Sequence, residues 1–250
     1  MTTSFRLDGM HALVTGAGRG IGRAVMLALA GAGADVYAIG RTPDDLEHAC
    51  SAVRSAGGRA TSLVADVTNG NDRRRLFADV PRVDLLVNSA GANIPEPLLD
   101  VSEAHLDRLI NLNIRAVFLM AQGAVKKMVA QGGGGAIVNI SSQMGHVGAP
   151  NRVVYCMTKH AVEGHTKSMA VEVAPLGVRV NSVAPTFIET AMTQPFLAAP
   201  GFRKWVLDRV PLGRLGTEAD VAAAVIFLAS SAASMITGTS LIVDGGWTAQ

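Results

Sequence analysis

Seven short, nearly continuously apolar runs alternate with longer amphipathic segments along this 250-residue chain, and that alternation restricts the fold more than any other feature. The runs are residues 11–15, 35–39, 61–64, 83–88, 136–140, 179–183 and 240–243. The helical patterns between them are 21–32, 44–56, 71–79, 102–130, 153–174 and 218–229. A strand with one solvated face alternates apolar with polar residues. These runs do not, so helices should cover both faces of their sheet. The expectation is an α/β fold: one doubly wound sheet of seven parallel strands with helices on both faces. No linker or composition shift divides the chain, which reads as a single domain, 1–250.

Composition removes several function classes. With 49% hydrophobic and 17% charged residues the chain can bury a core, unlike a disordered one. A net charge of +2 offers no basic stripe, so no nucleic-acid partner is expected, and Arg73-Arg74-Arg75 reads as a solvated helix face. Two cysteines, Cys50 and Cys156, are too few for a disulfide framework, and residues 1–8 lack the apolar core of a secretory signal. A cytoplasmic protein is the expectation. Residues 221–243 contain no charged residue, but Ser230, Ser231, Ser234, Thr237 and Thr239 interrupt them. The apolar part, 221–229, is far shorter than the about 20 residues a spanning helix needs, so no membrane association is expected.

The first strand runs directly into Thr15-Gly16-Ala17-Gly18-Arg19-Gly20-Ile21-Gly22 and then a helix. Strand, glycine-rich turn and helix form a phosphate site of the Rossmann type, because glycines allow close backbone approach and the helix start presents free N–H groups. Such a site is expected to use Gly16, Gly18, Arg19, Gly20, Ile21 and Gly22. The second strand ends in Gly40-Arg41, where an acid would select a ribose 2′-hydroxyl. A cation there, with no side chain on Gly40 to fill the space, favours a 2′-phosphate, so NADP(H) is favoured over NAD(H), with Arg19 as a second cation. Scattered histidines give no metal-ligand spacing, and no catalytic metal is expected.

Tyr155 and Lys159 are spaced i, i+4 on a helical pattern, which places both on one face, where a cation should lower the phenol's pKa. With these partners in order along the chain, the sequence resembles the classical short-chain dehydrogenase/reductase family. Thr15 to Gly22 resembles its glycine motif, Asn88-Ser89-Ala90-Gly91 its Asn-Asn-Ala-Gly motif, and Asn113 its catalytic asparagine. Ser142 stands at the family's interval before Tyr155, and Pro185, Ile188 and Thr190 resemble the segment bordering the nicotinamide. Ser89 and Thr186 depart from the pattern. The resemblance implies hydride transfer between nicotinamide C4 and an alcohol or carbonyl carbon: Tyr155 exchanges the proton, Lys159 lowers its pKa and holds the ribose, Ser142 bonds the substrate oxygen, and Asn113 anchors a water. It also implies cofactor contacts by Asp66, Val67, Asn88, Ala90, Gly91, Pro185, Ile188 and Thr190.

Gln143, His146, Asn151 and Arg152 form a polar set beside Tyr155, and donors suit a hydroxyl-rich substrate: a sugar, sugar acid or polyol. Residues 186–216, with Phe187, Phe196, Phe202 and Trp205, read as a substrate loop or lid. Its aromatics could equally hold an acyl chain, so 3-oxoacyl-thioester reduction is the alternative, and a non-catalytic nicotinamide-binding sensor is the alternative of another class. The apolar segment 221–229 and Trp247 resemble family surfaces that assemble a homotetramer, and an uncovered apolar face of that segment would otherwise meet water.

Overall fold

The structure is a computed structural model describing residues 4–190 and 193–250, without the side chains of Pro195 and Phe196. Its strands are β1 (His11–Thr15), β2 (Asp35–Gly40), β3 (Arg59–Val64), β4 (Leu85–Asn88), β5 (Gly135–Ile140), β6 (Val178–Pro185) and β7 (Ser240–Val243). They form one sheet in the order β3-β2-β1-β4-β5-β6-β7, every pairing parallel. The order reverses between β1 and β4, and the crevice beyond the strands' carboxyl ends at that point is where ligands bind in such sheets.

Helices α1 (Gly20–Gly31), α2 (Pro43–Ser55), α3 (Gly70–Asp79), α4 (Glu103–Ile110), α5 (Val117–Ala130), α6 (Val153–Val173) and α9 (Glu218–Ala229) cover the sheet, while short α7 (Gln194–Leu197) and α8 (Phe202–Leu207) lie between β6 and α9. Two apolar layers follow: Val14, Val25, Leu29, Val36 and Val225 on one face, and Leu13, Leu86, Met120, Ile137 and Val180 on the other. Adjacent residues such as Leu13 and Val14 enter opposite layers, which is why the strands read as unbroken apolar runs. No helix among the described residues is long and apolar enough to cross a membrane.

Four expectations are corrected. Residues 102–130 are not one helix: a π-helical turn over 111–116 separates α4 from α5 and carries Asn113 inward. Helix α9 does not present an uncovered face, since Val221, Ala222, Ala224, Val225, Leu228 and Ala229 are buried against α1 and the sheet. Trp247 packs within the chain, 5.5 Å from Trp205 and 5.8 Å from Phe187 between ring centroids. Arg73 is not solely solvated; its Nη1 donates to the Val67 carbonyl at 2.6 Å.

Candidate active site

The glycine turn is built around close contacts. Gly16 and Gly20 have φ of +68° and +57°, which L side chains rarely adopt. A Cβ on Gly22 would collide with the Gly16 carbonyl oxygen, and one on Gly18 would stand 2.9 Å from Asp45 Cβ. No side chain caps α1, whose N-cap is the exposed Arg19, so the N–H groups of its first turn remain available to an anion over the turn. Thr15 Oγ1 accepts from the backbone N–H of Ser89 and Ala90, both at 3.0 Å, and thereby fixes the second loop against the first. Asn88 Nδ2 donates to Asn139 Oδ1 at 3.0 Å, and Asn139 Nδ2 to Thr166 Oγ1 at 3.0 Å, so Asn88 braces β4, β5 and α6 through its side chain.

At the end of β2, Arg41 is exposed. Gly40 does not leave room for a phosphate: a Cβ there would meet Leu46 Cδ2 at 3.2 Å, so the glycine accommodates α2. Burial pushes the Asp66 carboxyl up, but bonds from Thr68 N at 2.8 Å and Thr68 Oγ1 at 2.7 Å, with the charges of Arg41 and Arg73, hold it below its usual value. Burial, Arg115 and Arg74 push the Arg73 guanidinium down. Arg73, which sat in a run that resembled a solvated face, thus braces the loop carrying Asp66 and Val67.

Ser142, Tyr155, Lys159 and Asn113 converge. Ser142 ends the segment after β5, its Oγ accepting from Met144 N at 3.1 Å and lying near enough to Tyr155 to pull the phenol down. Lys159 Nζ lies 5.5 Å from the Tyr155 ring centroid and donates to the Ile140 carbonyl at 2.8 Å. Burial pushes Tyr155 up to about 12, with the Ser142 bond and the Arg152 charge pulling against it. The phenol is therefore not brought toward neutrality, contrary to the sequence expectation, because burial outweighs Ser142 and the Arg152 charge. Burial also pushes Lys159 down to about 8, with Glu163 acting in the opposite sense.

Asn113 is 1% exposed. Its Oδ1 accepts from Ala92 N at 3.0 Å, while Nδ2 donates to Ala92 O at 2.8 Å and Thr158 Oγ1 at 3.2 Å. Both amide hydrogens are used and one lone pair of Oδ1 remains.

The polar set beside Tyr155 divides. Gln143 is 1% exposed, and neither polar atom of its carboxamide has a protein partner. Arg152 is buried beside Tyr155, burial pushing its guanidinium down. Asn151 is exposed and serves by its backbone, a left-handed turn (φ +55°) whose carbonyl accepts from Glu96 N and Arg152 Nη1, both at 3.1 Å. His146 is the clear departure: its Nε2 is engaged within the chain, meeting Ser240 Oγ at 2.9 Å and Glu163 Oε1 at 3.5 Å.

Across the site, Pro185 ends β6, Ile188 bridges to Gly216, and Thr190 lines a cleft of about 620 Å³ with Glu189, Gln194, Thr217, Glu218 and Ala219. Thr186 N donates to Val243 O at 3.1 Å, continuing the β6–β7 register past Pro185. Phe187, Phe202, Trp205 and Trp247 pack on one another at 5.5–5.8 Å. Phe196, assigned to the lid from sequence, has its side chain outside the described residues. Among the described residues no group of three or more His, Cys, Asp or Glu could hold a metal.

Residues 16–248 match the family described as enoyl-(acyl carrier protein) reductase. The L-xylulose reductase of Bos taurus is 43% identical, over 98% of each chain. Crystal structures of a gluconate 5-dehydrogenase from Burkholderia cenocepacia J2315 in complex with NADP and tartrate (35% identity, TM-score 0.94) and of a short-chain type dehydrogenase/reductase from Mycobacterium marinum (37% identity, TM-score 0.93) each align over 98% of both chains. The likeness spans the glycine turn, the switch point and the Ser142-Tyr155-Lys159 cluster alike, and the chain belongs to the classical short-chain dehydrogenase/reductase family.

Proposed function

We propose that the protein is a nicotinamide-dependent oxidoreductase that interconverts a secondary alcohol and a ketone on a sugar or sugar acid, with NADP(H) favoured over NAD(H). The observation that carries this reading is the buried Gln143 carboxamide, next in sequence to Ser142 and without a protein partner at either polar atom, which an apolar substrate would leave unsatisfied. The likeness to a reductase and a dehydrogenase of hydroxyl-rich molecules supports it. The aromatics of the 186–216 lid satisfy one another rather than opening a channel, which weighs against the acyl-thioester alternative. Tyr155 with Ser142, Lys159 and Asn113 is more than a binding-only sensor needs.

The uncapped α1 start and the glycine turn fit a dinucleotide diphosphate, with Arg19 and Arg41 toward a 2′-phosphate. Asp66 and Val67 border the adenine, Asn88, Ala90 and Gly91 the adjoining ribose path, and Pro185, Ile188 and Thr190 the nicotinamide. The bound nicotinamide supplies or accepts hydride. Tyr155, protonated at neutral pH, donates its proton to the oxygen that gains charge as a carbonyl is reduced, and Ser142 Oγ holds that oxygen. Lys159 keeps a positive charge behind the phenol and reaches the nicotinamide ribose, and the free lone pair of Asn113 Oδ1 holds a water toward Lys159. Arg152 and Gln143 orient the substrate's hydroxyl or carboxylate end, with Phe187 at the lid side. Residues 1–250 act as one cofactor-binding domain with 186–216 as its lid. A homotetramer is the proposed assembly, through exposed Phe118, Met157 and Val171 on α5 and α6 rather than through α9.

The test is absorbance at the reduced-nicotinamide band with NADP(H) and NAD(H) separately, across ketoses, aldonates, polyols and a 3-oxoacyl thioester. Tyr155-dependent turnover of a hydroxyl-rich compound is expected; turnover of the thioester alone overturns the reading.

A further inference from the structure

Glu163 is a buried acid that the mechanism above does not use. One turn beyond Lys159 on α6, it is 5% exposed. Its Oε2 accepts from Ser182 Oγ of β6 at 2.8 Å and its Oε1 from Ser240 Oγ of β7 at 3.2 Å, while His146 Nε2 approaches Oε1 at 3.5 Å. The turn carrying His146 is pressed onto α6 here: a Cβ on Gly145 would lie 3.0 Å from the Lys159 carbonyl and 3.1 Å from Glu163 Cγ. A carboxylate stays buried only when its charge is compensated by donors or a cation. Two serine hydroxyls supply donors, and Lys159 is the cation one turn earlier on the same helix.

The groups around the pair are few. Lys159 faces Tyr155 and Glu163 from its own helix, the uncharged Asn113 from the π-helical turn, and the Ile140 carbonyl from β5. Glu163 faces Lys159 from α6, His146 from the turn after β5, and only serine hydroxyls from β6 and β7. Burial drives Lys159 toward losing its proton, and Glu163 is the group that opposes it.

We propose that Glu163 is a positioning residue of the proton relay: its buried negative charge, fixed by Ser182, Ser240 and His146, keeps Lys159 an ammonium over the working pH range. This rests on the role given to Lys159 above. A purely structural Glu163 would tie α6 to β6 and β7, a task in which glutamine, with the same length and an acceptor oxygen, can substitute. Only the charge distinguishes the two.

The experiment measures kcat/KM for carbonyl reduction, and NADPH affinity by fluorescence, across neutral to alkaline pH for the wild type, Glu163→Gln, Glu163→Asp and Lys159→Met. In Glu163→Gln the alkaline decline of both quantities should begin about one pH unit lower, the shift expected for removing a nearby opposite charge. Glu163→Asp should decline close to the wild type. Glu163→Met, also uncharged, serves if the glutamine variant does not fold. If Lys159→Met abolishes the alkaline decline and Glu163→Gln leaves it where it was, the charge role of Glu163 is overturned while Lys159 keeps its role. A decline that persists in Lys159→Met overturns both.

Discussion

Lys159 stands over the Tyr155 ring, its ammonium 5.5 Å from the ring centroid, yet its hydrogen bond goes to the Ile140 carbonyl. The phenol is pushed up to about 12 by burial, with Ser142 and the Arg152 charge pulling it down. It is thus stocked with a proton at neutral pH, suited to giving one to a carbonyl oxygen. Tyr155→Phe keeps the ring and deletes only that proton. The variant should lose about 10²–10⁴-fold in kcat for ketone reduction, with NADPH affinity changed little. Steady-state rates beside a fluorescence titration check both halves.

The same burial acts on Lys159 in the opposite sense, pushing it down to about 8. An ammonium can donate to a ribose hydroxyl, whereas a neutral amine carries one donor fewer and no charge. Wild-type affinity for NADPH should therefore fall as pH rises through about 8 and level off where the amine is fully neutral. A flat profile between neutral and alkaline pH would disconnect Lys159 from the cofactor.

Arg152 is a buried cation whose charge acts on the phenol, and buried Gln143, next in sequence to Ser142, holds a carboxamide without protein partners. A carboxylate is the substrate end such a pair suits best, since charge-assisted hydrogen bonds exceed neutral ones. Arg152→Met preserves length and removes the charge. KM for aldonates or their keto acids should rise about 10–100-fold, and KM for a neutral ketose by much less. Kinetics on one acid and one neutral sugar discriminate, and equal losses would make Arg152 a packing residue.

The sheet was legible because each strand is covered on both faces: Leu13 and Val14 enter different layers, so apolar content alone marks the strand. The Tyr155–Lys159 pair was legible because i, i+4 spacing survives any packing of the helix. Other features depend on partners distant in sequence. The break at 111–116 has no proline or glycine to announce it; it is held by Asn113 bonding Ala92, twenty-one residues earlier. His146 looked like a pocket residue because its neighbours are polar, but Ser240, ninety-four residues on, draws it away. Gly40 looked like space for a phosphate until Leu46 filled it. Helix α9 looked uncovered because it is apolar almost all round, which is also how a fully buried helix reads.

Helix α9 begins with a capping box: Thr217 Oγ1 accepts from Asp220 N at 3.2 Å, and Asp220 Oδ2 accepts from Thr217 N at 2.8 Å and from Arg214 Nη1 at 2.7 Å. These bonds hold the Asp220 carboxyl far below the usual carboxylate range, the Arg214 bond contributing most. A depressed acid stabilises the fold above its unfolded value and loses that contribution as pH falls through its folded value. Asp220→Asn should therefore cost about 1 kcal/mol near neutral pH, and the gap in Tm from the wild type should narrow as the solution is made strongly acidic. Thermal melts at neutral and acid pH measure it.

In the proposed reading Arg41 is the cation on which NADP preference turns, since a Cβ on Gly40 would meet Leu46. The exposed guanidinium lies close enough to Asp66 to help hold that carboxyl ionised, so Arg41 sits at the adenine end of the crevice. A 2′-phosphate adds a charge-assisted partner there, whereas a 2′-hydroxyl adds a neutral one. Arg41→Ala should thus weaken NADP binding by about 10–100-fold and NAD binding by a few-fold at most. Raising ionic strength should narrow the wild-type difference between the cofactors, because the pair is exposed and screened. Equal weakening of both would transfer the discrimination to Arg19, whose charge stands at the start of α1 rather than at the end of β2.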